Sequence, residues 1–125
     1  MQPYETRITL VIGASENPER YAFKASTKLQ EHGFKVIAFG LKPGIIGNIP
    51  IQTTFPKETK IDTVTLYVGP QRQTAVIPEI IALKPRRIIF NPGTENPDFI
   101  KQAKDAGIET EIACTLVLLA TASYF

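Results

Sequence analysis

The stretch Ile8–Arg20, Ile-Thr-Leu-Val-Ile-Gly-Ala-Ser-Glu-Asn-Pro-Glu-Arg, constrains the fold more than any other part of the chain. A short, largely β-branched apolar run ends at Gly13. Small residues turn the chain, and Asn17-Pro18 stands where a helix is expected to begin. An apolar run bounded by glycine reads as a buried strand, and Asn followed by Pro reads as a helix cap and first helical position. A strand, a tight turn and a helix in that order open a βαβ unit. Such a unit points backbone N–H groups and the positive end of a helix dipole into one crevice. That crevice suits an anion, most often a nucleotide phosphate.

The rest of the chain repeats the alternation. The first helix runs to His32, where a cation faces the negative end of the dipole, and Gly33 stops it. Lys35–Phe39 reads as a second strand, and Gly40–Pro50, with its glycines and prolines, reads as a loop. Ile51–Phe55 is either a short edge strand or irregular. Thr63–Val68 is the third main strand, Arg87–Phe90 the fourth and Ile108–Ala113 the fifth. A helix is expected between Thr74–Pro78 and Leu83. Another, Phe99–Ala106, is capped by Asn96 ahead of Pro97, and a last one, Leu116–Ser123, is capped by Thr115. Strands alternating with helices give a parallel sheet with right-handed crossovers. The expected architecture is a single α/β domain over residues 1–125, a three-layer Rossmann-like fold. Its sheet is five-stranded and mainly parallel, in the order 3-2-1-4-5. The turns Gly13–Asn17, Gly40–Gly44, Gly69–Gln73 and Asn91–Thr94 then meet at the carboxyl edge, where such sheets bind ligands.

The first turn lacks the Gly-x-Gly-x-x-Gly fingerprint of dinucleotide enzymes, having Ser15 and Pro18 where glycines are needed. Ala14 and Ser15 still allow close approach, and the Ser15 hydroxyl can donate to a phosphate. Arg20 favours an anion, whereas Glu16 and Glu19 oppose one. The second strand ends at Phe39-Gly40-Leu41-Lys42, with no acid to accept bonds from a ribose. A lysine there suits a phosphorylated ribose, hence NADP or coenzyme A (CoA) rather than NAD.

Catalytic groups are sparse. His32 is the one histidine and sits at the far end of a helix, so no Ser-His-Asp set assembles. No Cys/His cluster has metal-ligand spacing. Cys114 reads as a small buried cysteine, Arg86-Arg87 and Arg7 as strand-edge or surface charges, and Glu109 and Glu111 as a solvated strand face. Tyr21 is expected to pack on its helix. A net charge of +2, from 14 basic and 12 acidic residues, gives no case for nucleic acid. No apolar run approaches the length of a membrane span, and Met1–Arg7 lacks the pattern of a signal peptide. A cytoplasmic protein is the expectation. The apolar C-terminus, Leu116–Phe125, is a candidate surface for a homodimer or another protein partner.

At its four turns the sequence resembles the small stand-alone CoA-binding proteins, which are similar to the N-terminal domain of the succinyl-CoA synthetase α subunit. The resemblance rests on Val11–Arg20, Glu31–Val36, Leu41–Gly44 leading to Gly47–Pro50, Val64–Val68 with Pro70, Ile89–Gly93, and Ala106-Gly107 before Cys114. It implies CoA bound across the carboxyl edge of the sheet. Gly13, Ala14, Ser15 and Glu16 match the stretch that meets the CoA phosphates. Lys42 matches the basic position of the second loop, Val68 and Gly69 the apolar turn near the adenine, and Asn91, Pro92 and Gly93 the fourth turn. Many relatives read Asn-Pro-Lys after the second strand. Here Gly40-Leu41-Lys42 keeps the base alone, and Gly69-Pro70 replaces a more polar or aromatic turn. The synthetase's phosphohistidine segment has no counterpart, so its ligase chemistry is not implied. The expected function is CoA or acyl-CoA binding without catalysis, in a regulatory role or together with a partner chain. A small NADP-dependent oxidoreductase, with Tyr21 or Cys114 as proton donor, and a vestigial Rossmann interaction domain are the alternatives.

Overall fold

Five apolar segments pair into the sheet that the alternation predicts, and two further short strands extend it. The computed structural model describes residues 6–125; the reading of Met1–Glu5 as part of a segment without a signal peptide lies outside the described residues. The strands are β1 (Ile8–Ile12), β2 (Lys35–Phe39), β3 (Gly44–Ile46), β4 (Ile49–Gln52), β5 (Thr63–Leu66), β6 (Arg87–Phe90) and β7 (Glu109–Ile112). The helices are α1 (Tyr21–Glu31), α2 (Ile77–Leu83), α3 (Pro97–Asp105) and α4 (Thr115–Ala120). Sheet order is β3-β4-β2-β1-β5-β6-β7. The β3–β4 pair is antiparallel and every other pair is parallel.

The sheet is therefore mixed and seven-stranded, not five-stranded, and the expected order 3-2-1-4-5 is corrected. The segment expected to be loop folds into the β3–β4 hairpin. Gly47 takes a positive φ of +61° at its turn, and Ile46, Ile49 and Ile51 bury their side chains. β4 pairs with the outer side of β2. That edge being occupied, Thr63–Leu66 pairs with the far side of β1, with Leu10 opposite Val64.

Alternating strand residues supply two apolar layers. Leu10, Ile12, Val64, Leu66, Ile88 and Phe90 face α2 and α3, and Phe90 meets Phe99 edge to face at 5.3 Å. Val11, Ala38 and Ile89 face α1 and α4, meeting Ala22, Leu29 and Leu119. This is the three-layer arrangement expected of a sheet buried on both faces. The C-terminal residues complete the second layer. Tyr124 is buried, its hydroxyl bonds that of Thr9 at 2.7 Å, and the Phe125 ring meets Phe34 edge to face and Tyr124 at a tilt. The tail expected to dock a partner thus packs mainly on its own core, though Val117 stays exposed.

Local caps follow the sequence in part. Asn96 accepts from the Phe99 N–H and caps α3, and Gly33 and Gly107 end α1 and α3 with positive φ. His32 caps the C-terminus of α1, its Nδ1 donating to Lys28 O at 2.8 Å. Asn17 does not cap α1. Its side chain accepts from Glu19 N at 2.9 Å, closing a turn, and α1 begins later, after Arg20. Thr115 does not cap α4 through its side chain; its own N–H donates to Asn91 Oδ1 at 2.9 Å. Arg87 is buried rather than on the surface, lying between Glu111, Thr63 and the carbonyl of Tyr124.

Candidate functional site

β1 is the point at which the sheet turns. The chain leaves β1 for β2 on one side through α1, and reaches β5 on the other. Turns that follow β1 and β5 diverge there and open a crevice at the carboxyl edge. A cleft of about 830 Å³ occupies it, lined by residues of all four turns singled out in the sequence. Gly13, Ala14, Ser15, Glu16 and Arg20 line it from the first turn, and Lys42 from the second. Val68 and Gly69 line it from the third turn, and Pro92 and Gly93 from the fourth.

The first turn is built by close backbone approach. Gly13 has a φ of +92°, and a Cβ on it would lie 2.8 Å from Val68 Cγ1 and 3.1 Å from Tyr67 O. Its N–H and that of Ala14 both donate to Phe39 O, at 2.9 and 3.0 Å. The two N–H groups are thereby used to join the first turn to the end of β2. Those of Ser15 and Glu16 have no partner among the described residues, and α1 begins without a side-chain cap. Uncapped N–H groups at a helix start, with the dipole behind them, attract an anion.

The second turn is held by two contacts. Gly40 N donates to Gln52 O at 3.0 Å, and Glu16 Oε2 accepts from Ile45 N at 3.0 Å. Glu16, which reads in the sequence as an obstacle to an anion, therefore holds the loop that carries Lys42. Leu41 is 88% exposed and Tyr21 65% exposed, and both line the cleft. Tyr21 does not pack inward on α1 as expected; Ala22 takes that place.

Asn91 lies behind the cleft rather than on it. Its Nδ2 donates to Thr65 Oγ1 at 2.7 Å and Leu66 O at 2.8 Å, and its Oδ1 accepts from Thr115 N. The side chain joins β5, β6 and the start of α4, so its amide groups are satisfied inside the protein. Gln73 plays a similar part for the third and fourth turns. It is fully buried, donates to Val68 O and Thr94 O at 2.9 and 2.8 Å, and accepts from Asn96 Nδ2.

Tyr67 is among the residues lining the cleft, while its hydroxyl is buried and has no hydrogen-bond partner among the described residues. The neighbouring Thr65 and Thr115 hydroxyls bond one another at 2.8 Å instead. Burial pushes the phenol up to about 12, so it stays protonated at neutral pH. Cys114 is half-buried at the start of α4, and His32 is at the opposite end of α1 from the cleft. Among the described residues no group of His, Cys, Asp and Glu has the placement to hold a metal ion. None of their helices is long and apolar enough to cross a membrane.

Among the lining residues outside the predicted set, which include Tyr21, Leu41 and Tyr67, Arg72 is the one cation. It closes the single 3-10 turn Pro70–Arg72 that follows Gly69. The turn itself is legible from Gly69-Pro70, and a base two residues on was the available signal.

A Rossmann-like α/β domain with an anion-competent cleft at its switch point is the class that this fold and site define. The chain belongs to the CoA binding domain family, whose pattern matches residues 7–120. No curated protein matches it. Among solved structures, an uncharacterized protein is similar at 41% identity, with a TM-score of 0.91 over 94% of this chain and 97% of that one. A hypothetical protein from Pyrococcus horikoshii is 26% identical, with a TM-score of 0.78 over 86% of this chain and 78% of that one. A protein from Thermus thermophilus, at 22% identity and a TM-score of 0.83 over 96% and 93% of the two chains, shares the fold.

Proposed function

We propose that this chain binds CoA or acyl-CoA in the cleft at the carboxyl edge of the sheet, and that it acts by binding, in a regulatory role, without catalysis of its own. One observation carries the reading. In a chain of the CoA binding domain family, Arg20, Lys42 and Arg72 line one cleft together with the uncapped start of α1, and none of the three has an ion-pair partner among the described residues. Cations left without partners around a helix N-terminus suit a ligand bearing several phosphates. Lys42, where dinucleotide enzymes use an acid, suits the phosphate on the CoA ribose. Exposed Leu41 and the rim residue Tyr21 offer apolar surface to an adenine or an acyl chain. The cleft presents hydroxyls, carboxylates and cations, and the phenol of Tyr67 is a poor base at neutral pH.

Calorimetric titration with CoA, an acyl-CoA, dephospho-CoA, NADPH and NADH tests this reading. CoA and the acyl-CoA are expected to bind more tightly than dephospho-CoA and NADH. NADPH binding above CoA would transfer the site to the NADP reading, and silence with every ligand would remove the binding proposal. Release of free thiol from the acyl-CoA during incubation would overturn the non-catalytic part.

A further inference from the structure

We propose that Arg72 anchors the diphosphate of the ligand while Lys42 anchors its ribose phosphate, so that two cations on opposite sides of the first turn divide the phosphates between them. This rests on the reading of the cleft as a CoA site. The sheet order supplies the geometry. β1 lies between β2 and β5, so the Gly13–Ser15 turn is flanked by the loop that follows β2 and the turn that follows β5. Lys42 belongs to the first of these and Arg72 to the second.

The β5 side abuts the first turn directly. Val68 Cγ1 would be 2.8 Å from a Cβ on Gly13, which leaves no space between the two segments. Arg72 follows four residues later in a turn whose backbone is doubly held. Its N–H donates to Gly69 O at 2.9 Å, and the adjoining Gln73 is buried with bonds to Val68 O and Thr94 O. The backbone is thus fixed beside the first turn, while the side chain is exposed, lines the cleft and has no ion pair among the described residues. Arg7 and Arg86 are paired with Asp62 and Arg87 with Glu111, whereas Arg20, which also lines the cleft without an ion pair among the described residues, stands at the start of α1 and not on the β5 side. A guanidinium presents a planar fork that can span two phosphate oxygens, which suits a diphosphate, whereas an ammonium is a point charge. A preordered backbone leaves only side-chain freedom to be lost on binding.

The test titrates two ligands into three variants by calorimetry, with thermal unfolding to verify that each variant is folded. Arg72→Ala is expected to weaken CoA and dephospho-CoA by the same factor, about ten- to hundredfold. Arg72→Lys is expected to recover part of that loss. Lys42→Ala should weaken CoA and leave dephospho-CoA unchanged. Unaltered affinity of Arg72→Ala for both ligands would overturn the assignment, as would a loss confined to CoA. Absence of binding by the unsubstituted chain would instead overturn the CoA reading and this inference with it.

Discussion

Glu16 and Ile45 join the first and second turns: the Glu16 carboxylate accepts from the Ile45 N–H at 3.0 Å, and Gly44 lies so close that a Cβ there would collide with the Glu16 side chain. One acid therefore has two opposite effects on the cleft. Its charge repels an anion, and its hydrogen bond holds the Lys42 loop. The two effects separate by substitution. Glu16→Gln removes the charge and keeps an accepting oxygen, so CoA is expected to bind about fivefold more tightly, consistent with one like charge removed near the solvent. Glu16→Ala removes both, and the freed loop should cancel the gain. Titration of the two variants side by side checks this.

Gly40 sets how closely those turns approach. A Cβ at this position would lie 2.5 Å from Ala14 O and 3.1 Å from Ile51 Cγ2, and a backbone oxygen cannot swing aside as a flexible side chain does. Gly40→Ala is expected to destabilise the fold by about 1–3 kcal/mol, the usual cost of overpacking. Urea unfolding measures it, and an unchanged midpoint would show that the turns separate freely.

Gln73 satisfies three groups at once: the buried Thr94 O and the partly buried Val68 O and Asn96 Nδ2. Leucine is close in size and offers none of these bonds. Each buried group left unpaired costs about 1–3 kcal/mol, partly relieved by water, so Gln73→Leu should lose about 2–4 kcal/mol. A second readout is CoA affinity, which should fall because the third and fourth turns lose their common support.

Asp62 predicts the acid limb of stability. Burial raises its carboxyl, but the hydrogen bonds from Arg86 and Thr63 and the charges of Arg86 and Arg7 outweigh that, leaving it below the usual value. Because the folded-state pKa is depressed, the contribution is present above the unfolded pKa of about 4 and is lost as pH falls through the folded value. The gap in urea midpoint between the unsubstituted chain and Asp62→Asn should be widest at neutral pH and close below pH ~4.

Tyr67 predicts the alkaline limb. With its phenol raised to about 12 by burial, the contribution is present below the unfolded pKa of about 10 and is lost as pH rises toward the folded value. Tyr67→Phe should be neutral or slightly stabilising at pH 7, because the buried hydroxyl has no partner among the described residues. It should also blunt the fall in melting temperature above pH ~10. Loss of stability at pH 7 would show that the hydroxyl is partnered in solution.

Much of the fold is legible along the chain because its signals are local. Ile8–Ile12 ends at Gly13 since only glycine tolerates the turn's φ and its contact with Val68. Asn96-Pro97 opens α3 since cap and proline act within one turn. The four lining turns are legible for the same reason, as each is punctuated by glycine or proline. Misreadings arise where a residue's partner is distant in sequence. Asn17-Pro18 is a local exception: it has the form of a cap, yet the Asn17 side chain closes a turn on Glu19, two residues on, and α1 starts later. Asn91 has the form of a ligand-facing turn residue, yet its amide bonds Thr65, Leu66 and Thr115. Arg87 reads as strand-edge or surface charge; it does begin β6, yet it is 4% exposed among Glu111, Thr63 and Tyr124.

Sequence by itself determined the alternation of strands and helices, the positions of the four turns and the family, because periodicity, capping and glycine punctuation act over a few residues. Tertiary structure alone decided the strand order and what surrounds each turn. Once the β3–β4 hairpin covers the outer edge of β2, Thr63–Leu66 can pair only on the far side of β1. That choice places the turn after β5 against Gly13 and brings Arg72 to the cleft. Competition for a sheet edge is settled by the whole chain, and no single stretch of it records the outcome.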